Sequence, residues 1–420
     1  MVDIFVDMEK PFLPMLVSNW IFGIGIAQYP IGVPHRVLSF TYSLLNITLY
    51  CVVAFFAYPY YIKFIDVTKS TLTTMIFSFS ISILLTIIMI TSGWFQAKGV
   101  RKCIIKAAIV NYLMQQIMIP KESTVIFFKE FIKFLIPLTS IFLIITFNLF
   151  ITFSESFAHI GQIGANFTMN YPIIVMFIID SSFVNIIGKV KNYILILMYA
   201  NFKFIKLNEL LYSLLTSSAD VPQHKRTFKE FIYKEKNSKF QYLKSIRKDY
   251  SDVIKCAKQI HLRLVELCQH ASNTYGLHFL ISTAFAIGIM IYNTYNIYNI
   301  LASIVITSAE YNIHIMKPIL YNCNWLTYNI LKIVRLSWFC DSICKESVRS
   351  GDIASELYDE PFISENTKSE IRDFENELIS NKLTLTAYGF FHLDFTLVHA
   401  MICTVATYLM IIIQVKSTCR

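Results

Sequence analysis

Apolar and polar positions divide the chain into seven apolar segments joined by polar connections. Each apolar segment has 22 to 29 residues. A helix rises about 1.5 Å per residue, so each segment can cross a hydrocarbon core of about 30 Å. The pattern predicts an all-α polytopic membrane protein with seven transmembrane helices at residues 37–61, 71–92, 131–154, 171–199, 275–300, 317–341 and 394–415.

The last apolar segment is not uniformly apolar. Its polar residues recur at spacings of 3, 4, 4 and 7, which place them on one face of a helix. Lipid cannot satisfy polar groups, so this face must meet protein or water. Spacing alone favours a helix–helix contact, and the alternative is the wall of an aqueous path. We call the set the polar stripe: Thr396, His399, Cys403, Thr407 and Gln414.

The connections carry helical patterns of their own. Apolar positions over residues 246–271 alternate at spacings of four and three, which predicts a helix with a heptad face. That helix either packs within the subunit or joins subunits as an anchor. The segment 217–239 has the charge and proline content of a linker, and Ile371, Phe374 and Leu378 recur at helical spacing.

Composition agrees with a membrane protein. Hydrophobic residues make up 55% of the chain, charged residues 15%, and the mean hydropathy is +0.52. Soluble domains carry about 25% charged residues. The net charge of +9 does not indicate nucleic acid, because topology accounts for it. Of the Lys and Arg residues in the connections, 27 lie on one side and four on the other.

This charge asymmetry predicts a cytoplasmic N-terminus and an extracellular C-terminus at the plasma membrane. The predicted organisation is a cytoplasmic N-terminus, four membrane helices, a linker with an anchor helix, two membrane helices, an anchor segment, a final membrane helix and an extracellular tail. Their ranges are 1–36, 37–199, 200–274, 275–341, 342–393, 394–415 and 416–420. An inside N-terminus argues against a G-protein-coupled receptor.

Polar and aromatic residues cluster in the outer halves of the predicted fifth and sixth membrane helices, and a carboxylate with an amide lies near the middle of the fourth. One carboxylate with amides and aromatic rings is the lining that a pocket for a small molecule requires. The alternative is that the rings form the interfacial belt and the amides join helices. For the cluster as a whole we favour a ligand pocket. The candidates are Asp180, Asn185, Tyr292, Tyr295, Asn324, Trp325 and Tyr328.

The sequence contains no recognisable catalytic or cofactor motif. It has no Gly-rich phosphate loop, no HExxH and no nucleophile elbow. Its nine cysteines show no CxxC spacing, so reduced structural thiols are expected rather than zinc or disulfides. We therefore expect no enzyme, no cofactor and no metal.

Three motifs in the last third of the chain resemble motifs of insect gustatory receptors. Thr407-Tyr408, five apolar residues and Gln414 resemble the TYhhhhhQF signature of the last helix, with Val415 in place of Phe. Ala387-Tyr388-Gly389-Phe390-Phe391 with Leu393-Asp394 resembles the segment before that helix. Arg335, Cys340 and Ser347 to Asp352 resemble the pattern that follows the sixth helix.

The resemblance implies a homotetrameric, ligand-gated, nonselective cation channel. In that family the seventh helix lines the pore, and cytoplasmic helix extensions form an anchor. The implied pore and gate residues are Thr407, Ile411, Gln414 and Val415. The expected partners are a small-molecule tastant, membrane lipid and further subunits, and sugars, bitter compounds and amino acids remain open. The alternative is a membrane receptor that signals through a cytoplasmic partner.

Overall fold

The computed structural model describes residues 35–63, 69–117, 132, 143, 171–217, 250–307, 313–360 and 363–418. These residues contain seven named helices and no β-strand, which confirms the all-helical prediction for this part of the chain. The helices are α1 (Arg36–Lys63), α2 (Lys69–Gln116), α3 (Tyr171–Ser217), α4 (Tyr250–Thr307), α5 (Ile313–Tyr358), α6 (Glu365–Ser380) and α7 (Phe395–Thr418).

Five of the seven predicted apolar segments lie within α1 to α5, and a sixth, 394–415, lies in α7 apart from its first residue. The remaining one, 131–154, lies outside the described residues except for Ile132 and Leu143, which are helical. The linker 217–239 is also outside them, beyond its first residue. Within the described ranges, Ser251–Ala302 and Phe395–Val415 are long and apolar enough to cross a membrane by length and composition.

Helices α2 to α5 are much longer than a hydrocarbon core requires. They have 48, 47, 58 and 46 residues, which corresponds to about 70 to 87 Å of helix. Because about 30 Å suffices to cross the core, each helix continues well past its apolar segment. The continuations pack together with α6 and form much of the buried core.

The first half of α4 is the centre of this core. Its predicted heptad face is buried from residue 257 to residue 271, because Ala257, Ile260, Leu264, Leu267 and Ala271 are all fully inaccessible to solvent. The first predicted position, Ile246, lies outside the described residues. Helices α2, α3, α5 and α6 of the same chain all pack against α4. Of the two interpretations of this face, packing within the subunit is therefore the one that the structure shows.

Helix α6 closes the core from one side. Its N-cap is Ser364, whose hydroxyl accepts a hydrogen bond from the backbone N–H of Thr367. Ile371 and Phe374 are buried, as their spacing predicts. On α5, Gly351 allows close packing, because a Cβ at this position would lie 3.2 Å from Leu378. This contact gives a physical reason for the glycine in the motif that follows the sixth helix.

A polar network crosses the core between α3 and α5. The amide of Asn208 donates to the carbonyl of Glu346 at 2.9 Å and to its carboxylate at 3.0 Å. In return, the Ser350 hydroxyl donates to the Asn208 amide oxygen at 2.6 Å. Buried polar groups that are satisfied in this way fix one register between two helices.

Candidate functional site

Helix α7 begins at a well-defined cap. The carboxylate of Asp394 accepts a hydrogen bond from the backbone N–H of Thr396 at 2.9 Å and another from the Thr396 hydroxyl. A carboxylate at a helix N-terminus satisfies a free N–H group and interacts favourably with the helix dipole. The aspartate of the sequence motif is therefore the cap that fixes the first residue of this helix.

Helix α7 packs on its own subunit with one narrow face. Leu397, Met401 and Val405 are buried and recur every four residues. The polar stripe lies on roughly the opposite side of the helix, and all five of its residues are exposed within the single chain. The subunit thus leaves the stripe uncovered.

The exposed surface of α7 is mostly apolar around the stripe. Ile402, Tyr408, Met410, Ile411 and Val415 are each between 47% and 58% exposed. Of the predicted gate residues, Thr407 and Gln414 are also exposed. A helix that exposes an apolar surface interrupted by one polar line suits a position between lipid, other subunits and water.

The loop before α7, residues 382–394, holds this helix against the core. We call it the docking loop. It folds back on itself through hydrogen bonds from Ala387 N–H to the Phe391 carbonyl and from Leu393 N–H to the Leu385 carbonyl, both at 2.9 Å. At its tip, Tyr388 and Gly389 have φ angles of 56° and 82°. The turn explains the glycine of the sequence motif, because glycine adopts positive φ readily.

The docking loop is fastened to α4. The Ser272 hydroxyl donates to the Thr386 carbonyl at 2.6 Å, and the Thr386 N–H donates back to the Ser272 oxygen at 3.2 Å. One turn further along α4, Gly276 lies directly under the loop. A Cβ built on Gly276 would lie 2.6 Å from the backbone nitrogen of Tyr388. Only glycine permits this close approach without movement of the loop.

The predicted ligand-site residues are distributed over α3, α4 and α5. On α5 the structure brings Trp325 and Tyr328 together, with ring centroids 5.9 Å apart in an edge-to-face contact. Both side chains are buried, and Asn324 is partly buried. On α4, Tyr292 and Tyr295 are partly buried. Asp180 and Asn185 lie in α3, but their side chains are outside the described part, so the pocket itself stays a prediction.

Unsatisfied amides mark the same region. Buried side-chain atoms without a hydrogen-bond partner among the described residues include the nitrogens of Asn293 and Asn324 and the oxygen of Asn329. Buried polar groups are normally paired. The two nitrogens can therefore donate hydrogen bonds to a bound small molecule or to water, and the oxygen can accept one. Asn329 lies one turn beyond Trp325 and was not among the sequence candidates.

A buried lysine was also missed by the sequence reasoning. Lys332 on α5 is only 8% exposed. A lysine in the predicted apolar segment 317–341 was the available signal, since ionisable groups inside a membrane segment usually face the protein interior. Three polar residues thus follow one another along α5: Asn324, which is partly buried, and Asn329 and Lys332, which are buried.

The described residues contain no group of three His, Cys, Asp or Glu residues that could hold a metal ion. Eight cysteines in the described ranges are free thiols. Burial raises the pKa of the Cys103 thiol to about 12, so this cysteine is a protonated packing residue rather than a nucleophile.

Long apolar helices that pack around a shared core, with one exposed helix carrying a polar stripe, define a helical membrane protein. The chain belongs to the 7tm Chemosensory receptor family, whose sequence profile matches residues 12–418.

Individual relatives agree with this membership. The chain is 25% identical over 174 residues to gustatory receptor 28b and 26% identical over 137 residues to gustatory receptor 68a, both of Drosophila melanogaster. These matches cover 41% and 32% of this chain, and 36% and 34% of the relatives' own lengths. The chain thus matches only about a third of each relative. The resemblance to insect gustatory receptors is confirmed.

The fold is similar to that of solved insect olfactory receptors. The OR5 receptor from Machilis hrabei, solved in complex with eugenol, aligns with a TM-score of 0.53 over 98% of this chain and 99% of its own. A second OR5 structure gives the same score and coverage. Sequence identity is 12% in both cases, so the similarity concerns the fold alone.

Proposed function

We propose that this receptor is a ligand-gated, nonselective cation channel of the plasma membrane, built from four copies of the chain. A small molecule binds in the extracellular half of the helix bundle and favours the open state. In this proposal the N-terminus is cytoplasmic, the C-terminus is extracellular, and the packed continuations of α2 to α5 form a cytoplasmic anchor.

The exposed polar stripe on α7 is the observation that carries the proposal. Thr396, His399, Cys403, Thr407 and Gln414 are exposed on the surface of the subunit, and a polar face in a membrane segment meets water or protein rather than lipid. Four copies arranged around one axis would turn the stripes toward a common aqueous path. Their exposed apolar residues would then meet lipid and neighbouring subunits.

The docking loop gives the proposal a physical connection between ligand and pore. Helix α4 contributes Tyr292 and Tyr295 toward the outer end, and the same rigid helix bears Ser272 and Gly276 under the docking loop. Movement of α4 on ligand binding would therefore be transmitted to α7. The ligand supplies the energy of opening through its higher affinity for the open state.

The gate is expected near the outer end of α7, at Ile411, Gln414 and Val415. Replacing Gln414 with alanine removes the last polar group of the stripe. We expect ligand-evoked currents with altered ion permeability and an altered open fraction, because four such groups would surround the path. Whole-cell recording of the wild type and of Gln414→Ala measures both quantities.

Ile402→Ala is the matched control for Gln414→Ala. Ile402 is 53% exposed on the same helix but lies about 100° away from the stripe. We expect its permeability ratios to equal those of the wild type. Unchanged gating and permeation in Gln414→Ala would remove Gln414 from the pore.

A further inference from the structure

Helices α1 and α2 enclose a groove that the proposed channel mechanism does not use. Its cavity volume is about 570 Å³, within the range of small-molecule sites. It lies between the first three turns of α1 and the middle of α2. We call it the basic groove: Arg36, Phe40, Ser43, Leu44, Ile47, Ile90, Thr91, Trp94, Phe95, Ala97, Lys98 and Arg101.

One part of the basic groove is apolar and open to the side. Phe40 and Phe95 are 58% and 85% exposed, and Leu44 is 50% exposed. Between them Trp94 is fixed, because its indole N–H donates to the Ser43 hydroxyl at 3.2 Å and its ring packs edge-on to Phe40 at 5.8 Å. These contacts hold two aromatic side chains of the apolar wall, Phe40 and Trp94, in defined positions.

The other part of the basic groove is cationic. Arg36, Lys98 and Arg101 are exposed on its rim, and no carboxylate is among the lining residues. Elsewhere in the described part, several cations pair with carboxylates, as Lys106 does with Glu266 at 2.8 Å. Three cations that line one groove, with no carboxylate among its described lining residues, create a local positive potential that attracts an anion.

The two parts of the groove follow the predicted membrane boundary. Arg36 directly precedes the apolar segment 37–61, and Lys98 and Arg101 follow the segment 71–92. The cations therefore lie at one membrane face, and the apolar wall extends from them toward the hydrocarbon core. With the topology proposed above, that face is the cytoplasmic leaflet, where anionic phospholipids are concentrated.

We propose that the basic groove binds an anionic phospholipid of the cytoplasmic leaflet. The headgroup phosphate lies against Arg36, Lys98 and Arg101, and an acyl chain lies along Phe40, Leu44 and Phe95. Guanidinium and ammonium groups match phosphate oxygens in charge and hydrogen bonding, and the aromatic wall provides apolar contact area. This binding rests on the proposed topology and on no other part of the proposed channel mechanism.

Occupancy of the groove acts on the rest of the bundle through α2. Gly99, between two groove residues, packs closely on α4, since a Cβ at this position would lie 2.5 Å from the Thr274 side chain. Thr274 is two residues from Ser272 and Gly276, which hold the docking loop. A bound lipid thus stabilises the arrangement of α1, α2 and α4 beneath the loop that positions α7.

The test is lipid binding to the purified full chain in detergent. The probes are dioctanoyl phosphatidylserine, dioctanoyl phosphatidylinositol 4,5-bisphosphate and dioctanoyl phosphatidylcholine, with inositol 1,4,5-trisphosphate as a headgroup without chains. We expect saturable binding of the two anionic lipids, with an increase in thermal stability. Phosphatidylcholine and the free headgroup should each bind at least tenfold more weakly.

Variants test the cationic part and the apolar part of the basic groove one at a time. Lys98→Gln with Arg101→Gln should weaken binding about 25-fold, since each cation near an anionic lipid contributes about fivefold. Leu44→Trp fills the apolar wall, keeps all three cations and should also weaken binding. Lys255→Gln, which removes an exposed cation from α4 outside the groove, should change affinity less than twofold.

Three results would overturn the proposal: equal binding of phosphatidylcholine, an unaltered affinity in the double variant, or a free headgroup that binds as tightly as the lipids. All variants alter exposed side chains, and their melting temperatures without lipid report whether they fold. Because binding is measured in detergent without a tastant or a current, a failure here is distinct from a failure of the channel proposal.

Discussion

Gly276→Ala is expected to displace the docking loop and to destabilise the receptor by about 1 to 3 kcal/mol, the usual cost of overpacking a filled interior. The new methyl group would lie 2.6 Å from the backbone nitrogen of Tyr388 and 3.1 Å from its Cα. Backbone atoms cannot rotate away as a flexible side chain can. The loop is also held by Ser272 and by its own hydrogen bonds, so relief requires moving the start of α7.

Gly288→Ala is the control on the same helix, and we expect it to change stability in the opposite direction. A Cβ on Gly288 would meet no atom within 4 Å. Alanine is preferred over glycine in a helix interior by about 0.5 to 1 kcal/mol, so this variant should be slightly more stable than the wild type. Melting temperatures in detergent check both changes, together with cell-surface expression. If Gly276→Ala has the same melting temperature and the same cell-surface expression as Gly288→Ala, the docking loop does not constrain α7.

Acidification is expected to weaken the core around α4 through His261. This ring is 4% exposed and lies between Phe204 of α3 and Phe374 of α6, at centroid distances of 5.2 and 5.6 Å. Its Nε2 lies 3.2 Å from both the carbonyl and the hydroxyl of Ser347 on α5. Burial lowers the pKa of His261 from 6.5 to about 4, although the backbone hydrogen bond to Ser347 opposes this shift.

The sign of the effect follows from proton uptake. Between pH 6.5 and pH 4 the unfolded chain binds a proton at His261 that the folded chain excludes. The folded state is therefore fully favoured above pH 6.5 and loses about 3 kcal/mol as pH falls to about 4. Lys258, three residues from His261 on α4, is paired with Glu370 at 3.4 Å.

A pH series of melting temperatures measures this effect. The wild type should lose stability as pH falls from 7 to 4.5. His261→Gln keeps a neutral amide that can still donate to Ser347, so it should be less stable at pH 7 but should show a shallower pH dependence. Parallel pH profiles for the two proteins would show that another group controls acid stability.

The sequence predicted the described helices well because their signals are local. Heptad spacing over Ala257 to Ala271 and helical spacing at Ile371 and Phe374 specify a buried face without knowledge of its partner. The polar stripe of α7 is likewise a property of one helix. Asp394 could be matched to a motif from sequence, and the structure adds its physical role as an N-cap.

Contacts between distant segments could not be predicted in the same way. Gly276 appears in sequence only as a glycine in an apolar segment, and its importance depends on Tyr388 lying above it. The basic groove requires residues near position 36 and position 98 to meet, which no periodicity indicates. For the ligand site, the sequence identified aromatic and amide residues, but their convergence depends on how three helices pack.

The most direct measurement of the central claim is a current from the chain expressed by itself. Cells expressing only this receptor are exposed to a panel of sugars, bitter alkaloids and amino acids, and any active compound is then applied to outside-out excised patches. The channel proposal predicts a cation current that persists without cytosol and that Gln414→Ala alters. A response in intact cells that disappears on excision would contradict it and would identify a receptor that signals through a cytoplasmic partner.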